Sequence, residues 1–253
     1  MLAQTEPDVA VAPRHEAWVR ISHWIAAVTI LTLAFSGVTI LMAHPRLYWG
    51  NAGNDLTPAL FELKISRNYK HGGWIGTTPF FAGADSPVSA VRTYDIFNQN
   101  GWARSLHFLA AWGFVIPGVL YLLNGLAGGH FRSRVLPRRS ELAVRPLWAD
   151  LREHLRLRVP TAAGGPQYGV LQKMAYSLVI FVAAPLMVLT GLTMAPAVTA
   201  AVPVLLRAFG GYQSARTIHF FTFVVLGLFT LGHVVMVVRS GFRRQMRGMT
   251  LGR

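Results

Sequence analysis

The sequence contains no cysteine. Disulfides, thiolate-held metals, iron–sulfur ligation by this chain and the Cys-x-x-Cys-His attachment of a c-type haem are thereby excluded. Any metal must rest on His, Met or carboxylate. Charge is scarce as well: charged residues make up only 13% of the 253 residues, and acids are the rarer kind, 10 Asp and Glu against 24 Lys and Arg. With 53% apolar residues and a mean hydropathy of +0.39, the composition excludes an ordinary soluble domain and points to a small integral membrane protein.

Four stretches lack charged residues for long enough to cross a bilayer, which takes roughly 20 residues of helix. They are 25–43, 105–127, 174–195 and 217–238. Allowing for flanks, the helices are predicted at about 21–43, 103–127, 172–195 and 215–239, within a single membrane domain over 1–253. The third uncharged run continues, but Pro196 and Pro203 in "TMAPAVTAAVPV" end the helix near Pro196. Pro117 and Pro185 fall inside spans and are expected to kink them. A cleaved signal peptide is the competing reading of the N-terminus. Glu6 and Asp8 with no basic residue in the first thirteen, a long first apolar run and no A-x-A-like site favour an uncleaved first span.

The net charge of +14 is compatible with nucleic-acid binding, but its distribution argues against that partner. The loop 128–173 carries nine Lys and Arg against three acids, and the tail 239–253 five against none. Basic clusters flanking apolar spans fix topology and stay in the cytoplasm. Both termini are then cytoplasmic, the loop at about 128–171 is inner and the loop at 44–102 is outer.

Histidine is what remains for metal chemistry. The last span, "RTIHFFTFVVLGLFTLGHVVMVVR", holds His219 and His233. Fourteen residues of helix turn through about 1400°, which leaves them about 40° apart in azimuth, and rise about 21 Å. The two therefore share a face, one near each side of the membrane. His23 opens the first span and His107 the second. With cytoplasmic termini, the four sort by depth into an outer pair, His107 with His219, and an inner pair, His23 with His233. Two imidazoles at matched depth suit the two axial positions of a haem iron. Zinc usually wants a third or fourth ligand, and the third span offers no His, Asp or Glu. A lone intramembrane histidine is as readily a hydrogen-bonding residue between helices as a ligand; it is the pairing that favours ligation.

Arg20, Arg104 and Arg216 each precede one of these histidines by three residues. Positions i and i+3 share a helix face, so each arginine lies where a haem propionate would emerge; ordinary interfacial arginines are the alternative. Gly37, Gly113, Gly118, Gly191, Gly227 and Gly232 lie within spans and leave room for a flat porphyrin or for close helix packing. His15, His44, His71, His130 and His154 lie outside the spans or at their edges, where a solvated histidine is the default.

The set "RISHW", "RSLHF", "KMAYSLVIFVAAPLMVLTGL" and "RTIHFFTFVVLGLFTLGHV" resembles the bacterial cytochrome b561 family, which includes membrane cytochrome b subunits of nickel–iron hydrogenases, formate dehydrogenases and thiosulfate reductases. The resemblance covers all four helices. It implies an all-α four-helix bundle in the bacterial inner membrane, with two non-covalent haem b groups held by bis-histidine ligation at His23, His107, His219 and His233. It further implies electron transfer between quinone and a redox partner. His130, Lys173 and Tyr176 at the inner end form the candidate quinone vicinity. The outer segment "HPRLYWGNAGNDLTPALFELKISRNYKHGGW" looks like the loop of the subgroup associated with molybdopterin, sulfite-oxidase-like oxidoreductases. Such a partner, or a c-type cytochrome, would be periplasmic. Without a nucleotide-binding fingerprint or a molybdenum ligand, the chain reads as an electron-transfer subunit more than as a stand-alone enzyme.

Two other readings stand beside it. A self-contained quinone-coupled enzyme such as a superoxide oxidase would not need the long outer loop. A proton-relaying transporter would need titratable groups through the bilayer, and the middle of each span lacks them. The outer loop is far longer than a helix connection requires and is rich in aromatics, among them Tyr48, Trp49, Tyr69, Trp74, Phe80, Phe81 and Tyr94. Exposed aromatics favour a docking surface, with a compact cap over the outer haem as the alternative.

Overall fold

The computed structural model describes residues 16–54, 57–65, 100–155 and 169–252. Four of its helical stretches are long and apolar enough to span a membrane. They are α1 (Ala17–Ala43), α2 (Asn100–Ala127), the composite third span and the C-terminal helix. The loop between α1 and α2 holds a short antiparallel pair, β1 (Arg46–Leu47) and β2 (Phe61–Glu62), with Arg46 opposite Glu62 and Leu47 opposite Phe61. A π-helical turn at Phe131–Val135 follows α2, and then comes α3 (Val144–Leu155). The third span joins α4 (Val170–Leu178) to α5 (Ala184–Thr193) through a π-helical turn at Val179–Ala183. Short helices α6 (Pro196–Ala201) and α7 (Val204–Ala208) lead to the last span, α8 (Tyr212–Arg239), and to a tail helix, α9 (Phe242–Thr250). The architecture is all-α with four spanning helices; the two-residue strand pair is the one departure among the described residues.

Each span starts ahead of its uncharged run, because a spanning helix carries its interfacial turn with it. The prolines act differently from one another. Pro117 sits inside α2, which runs without interruption, whereas the π-helical turn lies just before Pro185. A proline cannot donate to the i−4 carbonyl, and widening the preceding turn is one way a helix absorbs that loss.

Within hydrocarbon every polar group needs an internal partner. The span hydroxyls find theirs locally: Thr29, Thr32, Ser36, Thr39, Thr190, Thr193 and Thr222 each donate to the carbonyl four residues back. Val28, Leu31, Leu109, Trp112, Leu228 and Leu231 are exposed along the spans, as expected of side chains that meet lipid rather than water.

The chain divides into two compact units. The first gathers the described parts of Met1–His23, Leu120–Val182 and Gly227–Arg253. Its tail is tied down by Arg20, which donates to the Thr250 carbonyl at 3.0 Å. The second gathers those of Trp24–Val119 and Ala183–Leu226. There the loop after α1 caps the start of α8: the Gly50 carbonyl accepts from the Gln213 and Ser214 amides at 2.9 and 3.2 Å, and Thr217 donates to the Tyr48 carbonyl at 2.6 Å. These amides belong to a first helical turn that has no partners of its own. The approach requires glycine at position 211, where φ is +117° and a Cβ would lie 2.5 Å from the Gly50 backbone.

Of the residues read as a docking loop, Asp55, 66–68, Tyr69, Trp74, Phe80, Phe81 and Tyr94 lie outside the described residues, as do His15, His71 and the side chain of His154. Trp49 is exposed, while Tyr48 is buried and donates its hydroxyl to the Asn54 carbonyl at 2.9 Å.

Candidate functional site

The second unit brings His107 of α2 and His219 of α8 together, with ring centres 6.3 Å apart and planes inclined at 60°. The first unit does the same for His23 and His233, at 6.2 Å and 56°. With a metal–imidazole bond of about 2.0 Å and about 1.1 Å from ring nitrogen to ring centre, two imidazoles on opposite sides of one metal put their centres roughly 6.2 Å apart. Both pairs therefore have the spacing of two axial ligands. No group of three or more His, Asp or Glu with metal-binding geometry occurs among the described residues, so each pair offers two donors.

Hydroxyl groups decide which ring nitrogen faces the partner in the second unit. Ser36 Oγ of α1 lies 3.0 Å from His107 Nδ1, and Thr190 Oγ1 of α5 lies 2.9 Å from His219 Nδ1. Each hydroxyl has one proton, and each donates it to the carbonyl four residues back at 2.7 Å, Thr32 for Ser36 and Leu186 for Thr190. The oxygen then accepts from Nδ1–H. Nδ1 therefore carries the proton and Nε2 presents its lone pair, the tautomer a metal requires.

The next residue in each helix is glycine. A Cβ at Gly37 would lie 3.4 Å from His107 Cε1, and one at Gly191 would lie 3.5 Å from His219 Cε1. A Cβ at Gly118, Gly227 or Gly232 would meet nothing within 4 Å, while one at Gly113 would press on Thr29 at 3.0 Å. The donor set, the tautomer and the room left by these glycines fit a flat metal-bearing group that two imidazoles would hold.

The family model described as "Prokaryotic cytochrome b561" matches residues 14–252. The chain belongs to the prokaryotic cytochrome b561 family. It is also 28% identical over 225 residues to the putative protein-methionine-sulfoxide reductase subunit YedZ1 of Azospira oryzae, covering 88% of this chain and 89% of that one. No solved structure matches. With four spanning helices, the protein is a multi-pass cytochrome of the bacterial inner membrane, and its family places it among haem b electron-transfer proteins.

The three arginines of the cytochrome differ in their surroundings. Arg20 Nε is buried with no hydrogen-bond partner, although its Nη1 reaches the Thr250 carbonyl. Arg104 is exposed. Arg216 donates to the His44 and Arg46 carbonyls and so pins the loop after α1. Its role as a loop clamp is not visible in the i, i+3 spacing.

The three inner-end residues do not converge on one contact. His130 packs against Trp18, Tyr121 and Phe131 with ring centres 5.3 to 6.3 Å apart, beside a polar cavity of about 350 Å³ lined also by Glu16, Asn124, Ser133 and Arg134. Burial, and then the Arg134 charge, lower its imidazole below the ordinary range. Tyr176 contacts Phe229, which stacks on His233 at 6.1 Å and 14°. Lys173 is buried and paired with Glu141 at 2.8 Å. That bond, followed by one from the Arg138 amide, holds the Glu141 carboxyl below the usual range.

Ser36 and Thr190 escaped the sequence reading, which followed ionisable residues. A signal was present: "SGVT" at 36–39 and "TGLT" at 190–193 repeat one hydroxyl-glycine-x-threonine pattern, and all four hydroxyl residues are fully or almost fully buried.

Proposed function

We propose that this cytochrome carries two haem b groups, one on His107 and His219 and one on His23 and His233, and passes electrons between the quinone pool and a periplasmic oxidoreductase. The observation that carries the reading is the matched ring separation of 6.3 and 6.2 Å in two histidine pairs drawn from three spanning helices. Haem b, when bound, supplies reversible one-electron chemistry at iron. The protein's part is to hold two imidazoles per iron. In the His107–His219 pair, Ser36 and Thr190 fix the tautomer and the flanking glycines leave the ring edge clear.

In this reading both termini and the basic segments are cytoplasmic, so the His23–His233 pair is the inner one. A quinone would be received at that end, near His130, Lys173 and Tyr176. The ring contacts from Tyr176 through Phe229 to His233 support that end. Lys173 is engaged by Glu141 and serves as an anchor of the segment more than as a free donor. Arg20, Arg104 and Arg216 remain the candidates for propionate contacts, Arg20 foremost because of its unpartnered Nε.

The partner is proposed to be a molybdopterin oxidoreductase docked on the loop after α1. The resemblance of that loop and the subunit name of the Azospira relative support this partner over a c-type cytochrome. Reduced-minus-oxidised spectra of the purified protein with and without carbon monoxide test the ligation: a low-spin b spectrum indifferent to carbon monoxide is expected, since both axial positions are filled. A spectrum that shifts with carbon monoxide would overturn it.

A further inference from the structure

α3 belongs to none of the chemistry above. Its Asp150 carboxylate accepts from the Leu171 amide at 2.8 Å, in the first turn of α4. α4 opens the third span, so this bond holds α3 where that span begins. At about 100° per residue, Val144, Arg145, Trp148 and Arg152 fall within about 100° of one another on the helix, and Asp150 and Leu147 lie on the other side. On the first face Val144 is 83% and Trp148 65% exposed and Arg145 and Arg152 are exposed, while Leu147 and Asp150 are half-buried.

An exposed tryptophan and valine flanked by two arginines, with no acid on that face, is costly in water and fits the headgroup layer of a bilayer. There the indole and the branched side chain enter the acyl boundary while the guanidinium groups meet phosphate. We propose that this face of α3 lies on the membrane and binds the headgroups of anionic phospholipids, which fixes the inter-span segment as an interfacial element. Charge complementarity selects an anionic lipid surface as the occupant. α9, with Phe242 exposed beside Arg243 and Arg247, has the same character in the same unit.

Because the chain has no cysteine, a Val144→Cys variant takes one environment-sensitive fluorophore at a known place. The full-length protein is placed in nanodiscs of phosphatidylcholine alone or mixed with phosphatidylglycerol, and brominated lipid is used as quencher. The visible haem spectrum is recorded in parallel to verify that each variant is folded. In the anionic discs the probe should emit at shorter wavelength and be quenched, and the effect should weaken in high salt. Arg145→Gln and Arg152→Gln should each lower the ratio of membrane-seated to solvent-exposed probe about fivefold, and the pair about twenty-five-fold. A probe that stays solvent-exposed in both lipid compositions would give the face to water or to a protein and overturn the proposal. Burial indifferent to lipid charge and to both arginines would overturn it too.

Discussion

Thr190→Val replaces a buried hydroxyl with a methyl of similar size and leaves His219 Nδ1–H without the oxygen 2.9 Å away. An N–H that loses a buried acceptor costs about 1–3 kcal/mol. Only the part of that cost that differs between oxidised and reduced iron enters the midpoint potential. An acceptor on Nδ1–H makes the imidazole a stronger donor and favours the ferric state, so the variant should titrate at higher potential. A differential of about 1 kcal/mol corresponds to about 40 mV for a one-electron couple, for which 59 mV is a tenfold step. Ser36→Ala acts on His107 in the same way through its 3.0 Å contact. If His107 and His219 share one iron, both substitutions raise the same spectral component and leave the other within a few millivolts. The assay is a spectroelectrochemical titration of the purified protein in which the two components are fitted separately. Shifts in two different components, a downward shift, or no shift from either variant would refute the reasoning.

Two further outcomes concern the glycines beside the histidines and the Glu141–Lys173 pair. Gly37→Val and Gly191→Val place branched carbons where a single Cβ already stands 3.4 and 3.5 Å from a histidine Cε1, so each should displace its ring and deplete the same haem component, read as lost absorbance per chain. Glu141 titrates below its unfolded value of about 4.3 because it is bonded to Lys173 and the Arg138 amide. Its contribution is present above that value and is lost as pH falls through the depressed folded pKa. Thermal melting should therefore lose stability in the acid range, and Glu141→Gln should flatten that dependence.

The spans were legible because hydrocarbon imposes two conditions at once, about 20 apolar residues and complete internal hydrogen bonding. The histidines stood out for the same reason, since each lies within a predicted span, where an imidazole is unusual. Ser36 and Thr190 were hidden by their chemistry: a threonine in a span bonds its own helix whether or not a second helix needs it, as Thr29 and Thr222 do. Only the repeat of hydroxyl, glycine and threonine on two spans set them apart. The capture of Arg216 by two loop carbonyls could not be read from spacing, since it depends on how the chain turns after α1. The π-helical turn was legible only as the presence of Pro185, and Asp150 became visible as the tie between α3 and α4 once its partner amide at Leu171 was known.

The central claim is that four histidines hold two haems in fixed pairs, and a haem count with single-histidine variants tests it most directly. A pyridine haemochrome assay of the purified protein should return two haem b per chain. His23→Ala and His233→Ala should each remove the same spectral component, and His107→Ala and His219→Ala the other. A count of one or none, or a shared loss on His23→Ala and His219→Ala, would contradict the pairing.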